Sequence, residues 1–176
     1  GEWPAILADE KAQNPVTRRN AILRGLTARL TAVPPPGLVI AAGSTGSIPA
    51  TADLLAAIAR LPHGAVVLPG LDRDLDDDAW AKLDPAHPQY GLQQLLKRIG
   101  VARDQVADWA PDHADTAREA LLRETLRPAP TTDAWRALAD RGDPRMAQGL
   151  TGLARIDAAT PAEEALAIAL AMRETL

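Results

Sequence analysis

Leu38-Val-Ile-Ala-Ala42, the loop Gly43-Ser-Thr-Gly-Ser47 and, further on, Ala65-Val-Val-Leu68 decide the fold. The first is a short apolar run between two turn-forming stretches, Val33-Pro-Pro-Pro-Gly37 before it and Gly43–Ser47 after it. A short apolar run bounded in this way reads as a buried strand. Ala65–Leu68 reads as a second. Between them Leu54, Leu55, Ile58 and Leu61 recur at helical spacing. Strand, helix, strand with short joints is a βαβ unit, here at 38–69. Its strands are expected to be parallel and its crossover right-handed, with the helix over one sheet face.

Upstream, Asn14 is a good N-cap and Pro15 suits the first helical position. Ile22, Leu26 and Leu30, with Leu23 beside them, make the apolar stripe of that helix, and Arg18, Arg19 and Arg24 lie mostly off it as a solvated basic face. The three prolines at 34–36 end it. Downstream, Asp72-Arg-Asp-Leu-Asp-Asp-Asp78 precedes Ala79-Trp80, and aspartates in a first helical turn complement the positive helix end. A calcium loop would want a glycine and a terminal glutamate at fixed spacing, and neither is in place. Leu92, Leu95, Leu96 and Ile99 form an amphipathic helix stopped by Gly100. Thr116 with Glu119 makes a capping box, Thr131 or Thr132 is expected to cap a helix carrying Trp135 and Leu138, and Thr160-Pro-Ala-Glu163 opens a last helix. Trp80, Trp109 and Trp135 are expected to anchor helices to the core. Leu153-Ala-Arg-Ile156 reads as a third strand. The expected architecture is α/β and helix-dominated, with many helices around a small parallel sheet of about three strands.

The chain has 176 residues, 47% of them hydrophobic, which suits one domain with a sizeable core. A formal net charge of −4 argues against a free-standing DNA-binding module, because phosphate contacts dominate such affinity. Any DNA role must be local or shared with a larger protein. The absence of cysteine excludes disulfides, thiolate zinc sites and iron–sulfur ligation within the chain and fits a reducing cytoplasm. His63, His87 and His113 stand too far apart for a metal site. No apolar run approaches the ~20 residues of a membrane span. The chain opens without methionine and stops inside a helical run, so both ends read as cut from a longer protein.

Gly43–Ser47 is the loop with the most chemical promise. Backbone amides at a helix N-terminus favour anions, glycines admit a phosphate closely, and the hydroxyls of Ser44, Thr45 and Ser47 add donors. One reading is therefore a nucleotide- or dinucleotide-binding, Rossmann-like enzyme domain, with Asp72 near the place of a ribose carboxylate. The string also looks like the Gly-Ser-Thr-Gly-Ser-Ile-Gly of a deoxyxylulose phosphate reductoisomerase. Against this, the third fingerprint glycine falls at Pro49, no Walker A lysine follows the second glycine, and only one βαβ unit is visible where dinucleotide folds use two halves.

Five stretches, taken in order, carry a different resemblance. They are Val39-Ile-Ala-Ala-Gly-Ser-Thr-Gly-Ser-Ile-Pro49, Gly64-Ala-Val-Val-Leu-Pro-Gly-Leu-Asp72, His87-Pro-Gln-Tyr-Gly91, Leu126-Arg-Pro128 with Thr131-Thr-Asp-Ala-Trp135, and Pro161-Ala-Glu-Glu-Ala165. Together they span nearly the whole chain and resemble the AddB subunits of bacterial AddAB-type helicase–nucleases, which act in double-strand break repair. The resemblance implies an internal portion of a longer subunit, in its degenerate helicase-like half. Residues 1–150 would belong to the first motor lobe, and 151–176 would be a strand and helix leading into the second. In an active motor of this kind the first strand leads to an Asp-Glu pair that handles magnesium and water, and a later one to a Gly-Asp…Gln element. Here those places read Ala42-Gly-Ser-Thr45 and Pro69-Gly-Leu-Asp72. Phosphoryl transfer needs carboxylates that are absent, so no catalytic residue, metal or cofactor is expected in this chain.

The resemblance also implies partners: an AddA-type helicase–nuclease subunit and single- or double-stranded DNA ends. Ser44, Thr45 and Ser47 are the candidate phosphate donors, Gln89 a candidate base contact and Tyr90 a candidate stacking residue. An aromatic opening an amphipathic helix also reads as core, and Arg18, Arg19 and Arg98 are further possible backbone contacts. The expected function is that of a non-catalytic structural and DNA-channel segment supporting end processing and recombination.

Overall fold

A computed structural model describes residues 14–109 and 116–175. Among them are eight α-helices and two strands. Helix α1 (Pro15–Ala32) starts where Asn14 Oδ1 accepts from the Val16 amide at 2.8 Å. Strand β1 (Val39–Ala42), helix α2 (Pro49–Ala59) and strand β2 (Gly64–Val67) form the βαβ unit. The strands pair in parallel, Val39 opposite Gly64 and Ala42 opposite Val67.

Glycine at 64 is a packing requirement. A Cβ there would lie 1.8 Å from the Ile58 carbonyl oxygen, because β2 begins directly under the end of α2. One sheet face is covered by α2 and by α4 (Tyr90–Ile99): Ala52, Leu55 and Leu95 are buried against Ala41, Val66, Leu68 and Ile99. Helix α1 packs on the outside of α2. On the other sheet face Ile40 and Ala42 are exposed, so β1 alternates between covered and open positions.

The chain then enters α3 (Asp77–Ala81), where Asp76 is the N-cap, accepting from the Ala79 amide at 2.9 Å. Leu75, Ala79 and Leu83 form a second buried cluster, with Trp80 and Tyr90 against it. Beyond it lie α5 (Ala117–Thr125), α6 (Ala134–Arg141), α7 (Pro144–Leu150) and α8 (Pro161–Glu174). The capping box is present: Thr116 N donates to Glu119 Oε2 at 2.7 Å and Glu119 N to Thr116 Oγ1 at 3.2 Å. Thr160 Oγ1 likewise accepts from the Glu163 amide.

Three expectations are corrected. The sheet among the described residues has two strands, since Leu153–Ile156 runs as exposed irregular chain after Gly152 at φ +77°. A strand exists only with a neighbouring edge to pair with, and among the described residues none pairs with it. Helix α6 is not capped by Thr131 or Thr132. Both hydroxyls donate backwards, Thr131 to the Pro128 carbonyl and Thr132 to the Ala129 carbonyl, and thereby hold a 3₁₀ turn at Ala129–Thr131. Trp109 is 76% exposed and anchors nothing in the described core, while Trp135, half exposed, acts through its ring N–H, which donates to the Glu124 carbonyl at 3.0 Å. His113 lies outside the described residues.

Candidate functional site

In parallel α/β sheets ligands meet the carboxyl ends of the strands. Here that crest consists of two loops. After β1, the Gly43 amide donates to the Val67 carbonyl at 3.3 Å and extends the pairing by one residue. Gly43 and Gly46 have φ +77° and +65°, a conformation that glycine adopts freely, and the turn between them is held by Ser44 Oγ accepting from the Gly46 amide at 3.3 Å. Gly46 lies against α4: a Cβ there would sit 3.1 Å from Leu95 Cδ1. Thr45 lies by Gly91, whose absent Cβ would be 3.8 Å from the Thr45 carbonyl oxygen. Ile48 occupies the N-cap position of α2 with no side-chain cap, and Pro49 follows without an amide hydrogen.

After β2, the loop is locked by a side chain from α4's approach. Gln89 Nε2 donates to the Gly70 carbonyl at 2.8 Å, and its Oε1 accepts from the Asp72 amide at 3.1 Å. Asp72 then turns the chain, accepting from the amides of Asp74 and Leu75 at 3.0 Å each. Its carboxylate also receives Arg123 Nε, at 2.9 and 3.0 Å from the two oxygens. Arg127, just past the end of α5, reaches Asp76 at 2.6 Å and Glu124 at 2.9 Å. Arg103 donates to the Leu75 carbonyl and to Asp77, and stacks 4.7 Å from the centre of the Trp80 ring. The acidic run is thus an arginine-bound clasp. It ties the βαβ unit to the later helices.

Electrostatics follow this geometry. Burial pushes the Asp76 carboxyl up, but the Ala79 amide and the Arg127 guanidinium outweigh it and hold the group below the ordinary aspartate value. The Glu124 hydrogen bond, with Asp76 adding to it against burial, raises Arg127. Among the described residues no group of three or more His, Asp or Glu side chains is placed to hold a metal ion.

No protein-family model matches this chain, and no curated protein or solved structure matches it.

The structure brings two of the predicted groups together. The loop carrying Ser44, Thr45 and Ser47 lies against the start of α4, next to Gln89 and Tyr90. Ser47 is exposed, and Ser44 and Thr45 are half-buried. The amide of Gln89 is engaged at both ends by backbone, and Tyr90 packs against the Leu75, Ala79 and Leu83 cluster as a core aromatic would. Arg98 is remote from that crest, paired with Asp53 at 3.0 Å beside a cleft of about 370 Å³ between α1 and α2. What residue reasoning missed is the clasp. No local spacing announces it: Arg123 meets Asp72 across 51 positions, and Arg127 lies past the end of α5.

Proposed function

We propose that this chain is a non-catalytic structural and DNA-channel segment of an AddB-like subunit, working beside an AddA-type helicase–nuclease in the processing of broken DNA ends. The observation that carries the reading is the crest of the parallel pair. The first carboxylate after β2, Asp72, is bound by two amides and Arg123, and Gln89, which locks the same loop, is bound by Gly70 and Asp72. Neither group is disposed to orient water or hold magnesium on a nucleotide. The hydroxyls of Ser44, Thr45 and Ser47 remain on the loop as neutral donors for a phosphate backbone, a role that needs no turnover.

A nucleotide-binding enzyme domain is the second reading, favoured by the glycine loop at the head of α2. Pro49 and the pairing of Asp72 with Arg123 weigh against it. The two readings separate in solution. The purified chain should show no magnesium-dependent ATP turnover and no saturable binding of ATP or NADP, and should co-purify with an AddA-type subunit. Turnover above that of a mock preparation, or tight NADP binding, would replace the first reading with the second.

A further inference from the structure

Helix α1 carries Arg18, Arg19, Arg24 and Arg29 and no acidic residue. All four arginines are exposed. Among the described residues none of them has a side-chain hydrogen bond or ion pair, whereas Arg73, Arg98, Arg103, Arg123 and Arg127 are each held by a carboxylate. With the whole chain at −4, this concentration of positive charge is strictly local.

The helical repeat sets how the charges are displayed. At 3.6 residues per turn Arg18, Ile22 and Arg29 fall along one line, with Arg19 beside it. Leu23, Thr27 and Leu30 are half-buried, on the side turned to α2. The line from Arg18 to Arg29 is roughly 16 Å long at 1.5 Å per residue. Ile22 stands on that line and Leu26 flanks it, 60% and 41% exposed, whereas Val16 and Arg24 project from other sides of the helix.

We propose that this face of α1 binds single-stranded nucleic acid, with the guanidinium groups of Arg18, Arg19 and Arg29 on phosphates and Ile22 and Leu26 against the faces of unstacked bases. The cations are all arginine, the side chain whose planar fork matches phosphate oxygens two at a time. A row of this length faces several phosphates of one strand. The apolar residues select the single strand over the duplex, because a duplex keeps its base faces stacked inside while a single strand exposes them. The proposal rests on the DNA-channel reading and names the surface along which a strand runs.

Fluorescence anisotropy of the full chain with a dye-labelled oligothymidylate, a duplex of equal length and a polyglutamate peptide, over a salt series, tests it. Wild type should bind the oligothymidylate best. Each arginine–phosphate contact removed should lower the slope of log affinity against log salt by about 0.7, so Arg18→Gln with Arg29→Gln lowers it by up to about 1.4. Adding Arg19→Gln should lower it further, and Arg24→Gln, on another side of the helix, should leave it unchanged. Ile22→Ala should weaken single-strand binding and leave the slope unchanged. Arg136→Gln with Arg141→Gln, exposed arginines of α6, should change neither quantity. Circular dichroism confirms that each variant is folded, and the two-site variant stands in if the three-site one is not. A wild-type slope in the arginine variants would overturn the assignment to α1 and leave the channel reading intact. Tighter binding to duplex or polyglutamate would overturn the choice of a single strand. No binding by wild type to any of the three at low salt would sink both.

Discussion

Asp72 and Arg123 are 51 positions apart in sequence, yet their side chains are only 18% and 12% exposed where they meet. Removing one partner from a buried pair strands the other charge, at a cost of about 3–5 kcal/mol when burial is complete. Partial exposure here reduces that, and Arg123→Ala is expected to destabilise the fold by about 2–3 kcal/mol in chemical denaturation. Asp72→Ala added to it should cost less than the sum of the two single changes. Asp76 gives a second prediction. Its carboxyl is held below the ordinary value, so ionisation stabilises the fold above the unfolded aspartate value of about 3.9. That contribution disappears as pH falls through the lower folded value. Urea midpoints of wild type and Asp76→Asn should therefore differ at neutrality and converge in strong acid. A gap that persists in acid would mean that Asp76 acts through something other than its charge. Caps such as Asn14 and Thr116 were legible in the sequence because donor and acceptor are neighbours. The Arg123–Asp72 pair was not, since only the tertiary fold chooses which acid an arginine meets.

Among the elements, α5 and α7 approach each other closely at a glycine. A Cβ on Gly149 would lie 2.5 Å from the Ala117 carbonyl oxygen and 2.8 Å from Leu121 Cβ. Gly149→Ala gains helix propensity but forces the two helices apart, and overpacking of this kind costs about 1–3 kcal/mol. The midpoint of thermal unfolding should fall, and an unchanged or raised midpoint would show that α7 yields easily. The βαβ unit was readable because its parts are bounded by turn formers and its strands are apolar throughout. The misread elements share a cause. Leu153–Ile156 has strand-like residues but no partner edge, and Thr132 sits at a helix start but donates its hydroxyl to the preceding turn. The candidate loop was found by its glycines, while the lock that Gln89 places on the neighbouring loop depends on a contact 19 positions away.

At the scale of the whole molecule, packing is uneven. The sheet, α2 and α4 share one buried cluster, and α3 belongs to another. Along α8, Leu166, Ile168, Leu170 and Met172 are between 51% and 62% exposed, and no residue of that helix is buried. The helix thus leaves apolar side chains uncovered. Contiguous apolar surface of this kind leaves water readily, so light scattering should show association that grows with concentration and weakens in Leu166→Glu with Leu170→Glu. A strictly monomeric chain at high concentration would contradict this. The arginine clasp also has a temporal side. Its ties close chain segments of 49 and 51 residues, far longer than any helical turn. Long closures carry more entropy and form after local structure. A tie that is missing when the folding barrier is crossed restrains only the return journey. Stopped-flow traces of Arg123→Ala should accordingly show faster unfolding with a nearly unaltered folding arm, making the clasp a latch on the lifetime of the folded chain rather than a guide to reaching it.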